Sequence, residues 1–138
     1  MIGVGFKSRG AFLRKSGPSY DPDRMHLHFI CTDEQAFGTI LVVSMCSLEP
    51  STKDRACLLD VGDHRFINRR SYIHYRKTEI MDLTALQELL RRGDIVPEED
   101  CREDIFDRIC QGLLASTAAR TNHKEYFRAS RNPFPEAA

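Results

Sequence analysis

The residues best suited to chemistry in this 138-residue chain lie in the segment 61–77, VGDHRFINRRSYIHYRK. The segment holds two histidines, five arginines or lysines and three aromatic residues, and Asp63 is its only acid. A histidine can move a proton near neutral pH, and a neighbouring guanidinium can stabilise the extra negative charge that develops on phosphorus during phosphodiester cleavage. The composition of the segment therefore indicates a site for a polyanion.

Within this segment we expect three catalytic residues. His64 and Arg65 follow the Gly62-Asp63 turn, where Asp63 would orient the imidazole, and Ser71 opens the next strand. The other basic and aromatic residues would bind phosphates and stack on bases. They are Arg69, Arg70, Tyr72, His74, Arg76 and Lys77. The alternative is structural: Gly62-Asp63 is a hairpin turn, His64 is its rim, and the arginines are a solvated edge.

His26 and His28 are secondary candidates for the site. Alternate residues of a strand share a face, so the two imidazoles would lie side by side and could serve a nuclease site or bind a metal. Zinc would need a third ligand, from His64, His74 or a cysteine. The chain has no zinc-finger spacing, and its five cysteines include no CxxC pair, so we predict no metal and no other cofactor.

Charge is unevenly distributed, although 20 basic and 20 acidic residues cancel. Residues 64–77 hold five basic residues and no acid, whereas residues 94–107 hold seven acids and one arginine. The acidic segment could balance the basic strip, occlude it by mimicking phosphates, dock a partner, or be an ordinary solvated helix start. Neither a signal peptide nor a transmembrane run is recognisable, which predicts a cytoplasmic protein.

The hydrophobic periodicity predicts an α+β fold. Strands are expected near residues 2–6 and over 25–32, 39–48, 55–61 and 71–77. Helices are expected over 82–93, between a capping Asp82 and Gly93, and over 97–120, with Pro97 in the first turn. The expected architecture is a curled antiparallel sheet or small SH3-like barrel followed by two C-terminal helices.

The same patterns divide the chain into three parts. Residues 1–24 are predicted to be a basic N-terminal segment, residues 25–120 a single α+β domain, and residues 121–138 a basic, partly disordered tail.

Several segments taken in order give a resemblance to a known family. HLHFICTDE, GTILVVSMCSLEP and KDRACLLDVGDHRFINRRSYIHYRKTEI, followed by a helix, resemble the MazF/PemK-like toxins of bacterial toxin–antitoxin pairs over about residues 25–115. The resemblance implies a curled SH3-like sheet and metal-independent cleavage of single-stranded RNA. In that family an arginine and a serine or threonine on a later strand carry the reaction, which implies Arg65 and Ser71 here. The spacing of residues 62–75 is also similar to that of small proteins of mobile elements.

Two functions remain open from the sequence. The first is a toxin-like endoribonuclease that binds single-stranded RNA in the cytoplasm. The second is a non-enzymatic interaction protein, related to phage or defence functions, that docks a partner such as an antitoxin through its acidic helix. Neither function involves a membrane, and a homodimer is compatible with both.

Overall fold

The computed structural model describes residues 6–131, which form one antiparallel sheet of seven strands and three α-helices. The strands are β1 (Ala11–Lys15), β2 (Met25–Ile30), β3 (Thr39–Ser47), β4 (Leu58–Leu59), β5 (Ser71–Ile73), β6 (Glu79–Asp82) and β7 (Ile95–Glu98). The helices are α1 (Leu83–Arg92), α2 (Glu103–Ala115) and α3 (Thr121–Arg131). No helix among these residues is long and apolar enough to cross a membrane.

The long strand β3 is the centre of the sheet. It pairs with β2 along one edge and with both β5 and β6 along the other, and the strand order is β4-β5-β3-β2-β1-β7. The sheet stays open, so of the two expected arrangements the curled antiparallel sheet is observed and the closed barrel is not. The α+β class and the C-terminal helices are confirmed.

The two faces of the sheet bury separate apolar clusters. One cluster combines Leu27, Phe29 and Val43 of the sheet with residues of α2 and with Phe127 of α3. The other combines sheet residues such as Phe12 and Val42 with Leu86 of α1. Helix α1 covers only part of this second face. Polar side chains occupy the rest of it.

Helix α1 lies where the sequence predicts it. The Asp82 carboxylate accepts a hydrogen bond from the Ala85 backbone N–H, and Gly93 ends the helix with φ 77°, which glycine adopts without strain. Helix α2 instead begins at Glu103, and Pro97 lies in β7 opposite Phe12. Because β7 is an edge strand, the missing N–H of Pro97 costs no hydrogen bond within the sheet.

The flanking segments contribute more structure than predicted. Residues 11–15 of the expected basic N-terminal segment are strand β1, which pairs on both sides. Residues 121–131 of the expected tail form helix α3, because His123 and Phe127 lie one turn apart and both are buried. The expected strand 55–61 is reduced to Leu58–Leu59. Residues 1–5 and 132–138, with most of the strand expected near 2–6, lie outside the described residues.

Candidate functional site

Polar side chains cross the open face of the sheet in two adjacent rows. Residues directly opposite each other on antiparallel strands share a face. Arg14 of β1 is opposite His26 of β2, and Cys46 of β3 is opposite Tyr72 of β5. In the neighbouring row His28 is opposite Ser44, whose carbonyl accepts a hydrogen bond from the His74 backbone N–H. This polar face carries both histidines of β2.

This polar face borders an open cavity of about 860 Å³, which we call the histidine groove. Its basic lining residues are Arg14, Lys15, Arg76, Lys77 and Arg120, and its histidines are His26, His28 and His123. Glu79 and Asp82 are the acidic residues of the lining. Five permanent cations against two carboxylates give the groove a positive potential, which attracts anions.

The hydrogen bonds of His26 determine which ring nitrogen can take a proton. Ser16 Oγ lies 3.2 Å from the carbonyl of Arg14 and 2.7 Å from His26 Nδ1. When the hydroxyl donates to the carbonyl, which can only accept, it accepts from His26 Nδ1–H. That arrangement leaves Nε2 without a proton. Partial burial, with Arg24 and Lys77 nearby, lowers the pKa of His26, so the ring is neutral at pH 7 and Nε2 is a proton acceptor.

His28 is held as a neutral imidazole in the same way. Its Nδ1 donates to the carbonyl of His26 at 3.0 Å, which again leaves Nε2 as the unprotonated nitrogen. The ring stacks on Phe12, with centroids 5.4 Å apart. Burial lowers the pKa of His28 to about 4. His28 therefore accepts hydrogen bonds at neutral pH but does not act as a general acid.

Three buried polar atoms at or beside the groove lack a hydrogen-bond partner among the described residues. They are Ser44 Oγ, His74 Nδ1 and His123 Nδ1. Ser44 and His123 are 6% and 7% exposed and line the groove. His74 lies next to Ser44, whose carbonyl accepts a hydrogen bond from the His74 backbone N–H. Buried polar atoms are normally paired, so unpaired ones indicate a place where a polar ligand or water completes the bonding.

The cations of the groove fall into two groups. Arg14 donates to Glu79 at 2.6 Å, and Lys15 lies 3.8 Å from both Asp23 and Asp94. No described acid lies within 4 Å of the charged groups of the other three cations, which are Arg76, Lys77 and Arg120. These three are free to pair with phosphates.

His26 also lines a second cavity, of about 280 Å³. The predicted site residues Arg69 and Ser71 line this cavity too. Ser71 is 2% exposed, and its Oγ donates to the carbonyl of Arg69 at 2.9 Å. The hydroxyl is thus already used to shape the loop before β5.

His64 and Arg65 line neither cavity, so the structure does not gather the three predicted catalytic residues. His64 is 4% exposed, its Nε2–H donates to the carbonyl of Glu99, and its Nδ1 accepts from the Phe66 backbone N–H. Both ring nitrogens are therefore occupied. Asp63, expected to orient His64, instead accepts from the Asp60 backbone N–H and lies near Arg108.

The other predicted site residues are divided between the groove and the protein's own ion pairs. Arg76 and Lys77 line the groove, and the Tyr72 ring, on the same face, lies 5.5 Å from that of His74. Arg70 pairs with Asp60 at 3.7 Å, outside both cavities. Arg65 pairs with Glu98 at 2.8 Å. The basic strip of the sequence is therefore partly a binding surface and partly neutralised.

Sequence reasoning missed several groove residues, namely Arg14, Lys15, Ser16, Ser44, Arg120 and His123. Ser44 had a signal, because it is a hydroxyl in the middle of the apolar run of β3.

No group of three or more His, Cys, Asp or Glu side chains within residues 6–131 is arranged to hold a metal ion. No family model matches the chain, and no curated protein matches it.

Proposed function

We propose that the histidine groove binds single-stranded RNA and cleaves it without a metal ion, as a toxin-like endoribonuclease does. The observation that carries the proposal is the combination of unprotonated His26 Nε2 with cations in one groove. The resemblance to MazF/PemK-like toxins supports the same reaction, although His26 takes the place of the expected Arg65 and Ser71. A cytoplasmic location fits a single-stranded RNA substrate.

RNA fits the groove better than a small anion does. The groove borders residues of β1, β2, β3, β6 and α3, so its cations come from several parts of the chain and can contact more than one phosphate. Arg76, Lys77 and Arg120 would pair with those phosphates, and Tyr72 lies on the same face as a surface for base stacking. Neutral His28 can accept a hydrogen bond from a 2′-hydroxyl, the group that distinguishes RNA from DNA.

The expected reaction is an internal transfer of the phosphoryl group. His26 Nε2 takes the proton of a ribose 2′-hydroxyl, whose oxygen then attacks the adjacent phosphorus. The bond from phosphorus to the 5′-oxygen of the next nucleotide breaks, and that oxygen takes a proton from solvent. The products are a 2′,3′-cyclic phosphate and a 5′-hydroxyl. Lys77 and Arg76 stabilise the charge that develops on phosphorus.

The alternative, docking of a protein through the acidic segment, has less support. Much of that segment is used within the molecule: Asp94 lies near Lys15 and Arg92, and Glu98 pairs with Arg65. Asp104 pairs with Arg102. These contacts agree with the interpretation that the acids balance the molecule's own arginines.

Charge reversal in the groove tests the proposal. We expect Arg76→Glu/Lys77→Glu to weaken binding of a fluorescein-labelled single-stranded RNA decamer by at least about 100-fold, because two phosphate contacts become repulsive. The matched control is Lys53→Glu/Arg128→Glu, which makes the same charge change at exposed residues outside both cavities. Fluorescence anisotropy at fixed salt gives the dissociation constants. Equal losses in the two double variants would contradict a binding site in the groove.

A further inference from the structure

We propose that the second cavity binds the nucleobase next to the bond that is cut, and thereby sets the base preference of the protein. This inference rests on the proposed function, since it names the part of the RNA that the second cavity selects. The cavity is lined by apolar, amide and basic side chains and by no acid.

The cavity exists because β2 and β3 separate. The two strands pair only where His28–Ile30 meets Val42–Ser44. Beyond that point Met25–Leu27 remains paired with β1, while Met45–Ser47 pairs with β5 on the other side. The loop 66–69 also lines this gap between the diverging strands. The strand pairing, and not a mobile loop, therefore holds the cavity open.

The lining suits a flat, polar-edged ring. Met25, Leu27 and Met45 supply apolar surface, and Phe66, 37% exposed, supplies an aromatic ring. The exposed Asn68 side chain has no hydrogen-bond partner among the described residues, so its amide can both donate to and accept from a base edge. At about 280 Å³ the cavity is just below the range of ligand pockets, which starts at roughly 300 Å³, so it has room for no more than one base.

His26 connects the two cavities. It lines both of them, and its Nε2 is the proton acceptor of the proposed reaction. Met25, Leu27 and Met45 face the side of the sheet opposite to the His26 ring, so the ribose of a base held in the second cavity would reach His26 through the gap between β2 and β3. Arg24 and Arg69 lie in the same lining to bind the flanking phosphates. The selected base is therefore the one adjacent to the cleaved bond.

The test measures base preference with pentamers of U, C or A made of 2′-fluoro RNA, which lacks the attacking hydroxyl. We expect wild-type affinities to differ at least about fivefold between the best and worst pentamer. Phe66→Leu should weaken binding of the best pentamer at least about fivefold, because a stacked base is lost. Asn68→Ala should bring the three affinities to within about twofold of one another, because the edge of the base is no longer read.

Two matched controls separate the cavity from general surface effects. Phe37→Leu changes another phenylalanine, 98% exposed, and Asn122→Ala changes another exposed asparagine, and neither residue lines the cavity. Equal wild-type affinities for the three pentamers, or Phe66 and Asn68 variants that behave as their controls do, would overturn the inference and leave the proposed function intact. Failure of the wild type to bind any pentamer, with the 2′-hydroxyl RNA decamer also unbound, would count against the proposed function, and with it the inference.

Discussion

The histidines differ in what their ring nitrogens do. His64 uses both nitrogens in hydrogen bonds to the backbone, and so ties the turn before Phe66 to Glu99. His26 and His28 each use only Nδ1, as a donor, which leaves Nε2 as a base. Histidine thus has a structural role at position 64 and can accept a proton at positions 26 and 28.

The buried neutral state of His28 predicts a pH dependence of stability. Its pKa is about 4 in the folded protein and 6.5 in the ordinary state, so the unfolded chain binds the proton first as pH falls. Stability is therefore retained above pH 6.5 and lost between pH 6.5 and 4, by about 3 kcal/mol for this side chain. The lowered pKa values of His26, His74 and His123 act in the same direction.

Urea denaturation of the wild type and His28→Gln at pH 7 and pH 4.5 measures this effect. We expect the free energy of unfolding to fall less from pH 7 to pH 4.5 in the variant than in the wild type, since one of the contributing groups is removed. An unchanged difference between the two pH values would contradict the neutral, buried state of His28.

Ser16 is a positioning residue for His26. It accepts the hydrogen bond from His26 Nδ1, and thereby keeps the lone pair on Nε2. We expect Ser16→Ala to lower kcat for RNA cleavage on the order of tenfold with little change in KM, because the base is misoriented while binding is retained. Ser16→Thr keeps the hydroxyl and should restore the rate. A rise in KM with kcat unchanged would mean that Ser16 acts in binding.

The roles of single residues are only partly predictable from the sequence. The alternation in β2 correctly places His26 and His28 on one face. His64 Nε2 is occupied by a hydrogen bond to the carbonyl of Glu99, 35 residues away. Nothing local in Gly62-Asp63-His64 reveals this bond. The sequence therefore identifies which residues can do chemistry more readily than which are free to do it.

At the scale of elements, one close contact joins helix α2 to the loop between β5 and β6. The buried Tyr75 hydroxyl donates to the carbonyl of Ile109 at 2.6 Å, and it lies directly against Gly112. A Cβ at position 112 would overlap the Tyr75 oxygen and lie 2.9 Å from the Cβ of Cys57. The contact fixes the start of the segment that carries Arg76 and Lys77 into the groove.

We expect Gly112→Ala to lower the free energy of unfolding by about 1–3 kcal/mol, because overpacking outweighs the gain of about 1 kcal/mol in helix propensity. Tyr75→Phe in the same chain removes the overlapping oxygen and should recover part of the loss. The control is Gln111→Ala, an exposed neighbour on α2. Thermal or urea denaturation measures all three, and a Gly112→Ala protein as stable as the wild type would contradict the contact.

The elements differ in how far local sequence determines them. Helix α1 is predictable because Asp82 and Gly93 define its ends within the segment itself. Strand β7 contains a proline and follows a helix, so only its pairing with β1 makes it a strand. Helix α3 is basic and buries just His123 and Phe127, against partners elsewhere in the chain. Elements that depend on distant partners are the ones that the sequence does not reveal.

At the scale of the whole molecule, a net charge of zero conceals separated surfaces. Acids of the 94–107 segment pair with arginines outside the groove, such as Arg65 and Arg102. The groove keeps three cations, Arg76, Lys77 and Arg120, without an acidic partner within 4 Å among the described residues. Charge pairing elsewhere therefore leaves one face able to bind a polyanion.

This arrangement predicts a modest salt dependence of RNA binding. Those three cations of the groove alone should contribute about −2 to the slope of the logarithm of the association constant against the logarithm of salt concentration, and contacts of Arg24 and Arg69 would make it steeper. Anisotropy titrations of a single-stranded RNA decamer between 50 and 300 mM salt, roughly the range over which such slopes are measured, give the value. A slope near zero would mean that the cations of the groove do not contact phosphates.

The central claim is that His26 acts as the base in RNA cleavage. The most direct measurement is mass spectrometry of the ends formed when single-stranded RNA is incubated with the chain in EDTA. We expect 2′,3′-cyclic phosphate ends from the wild type and from a folded His64→Asn variant, and a rate lower by about 100-fold or more for His26→Ala. Intact RNA with the wild type, or equal cleavage by His26→Ala, would contradict the claim.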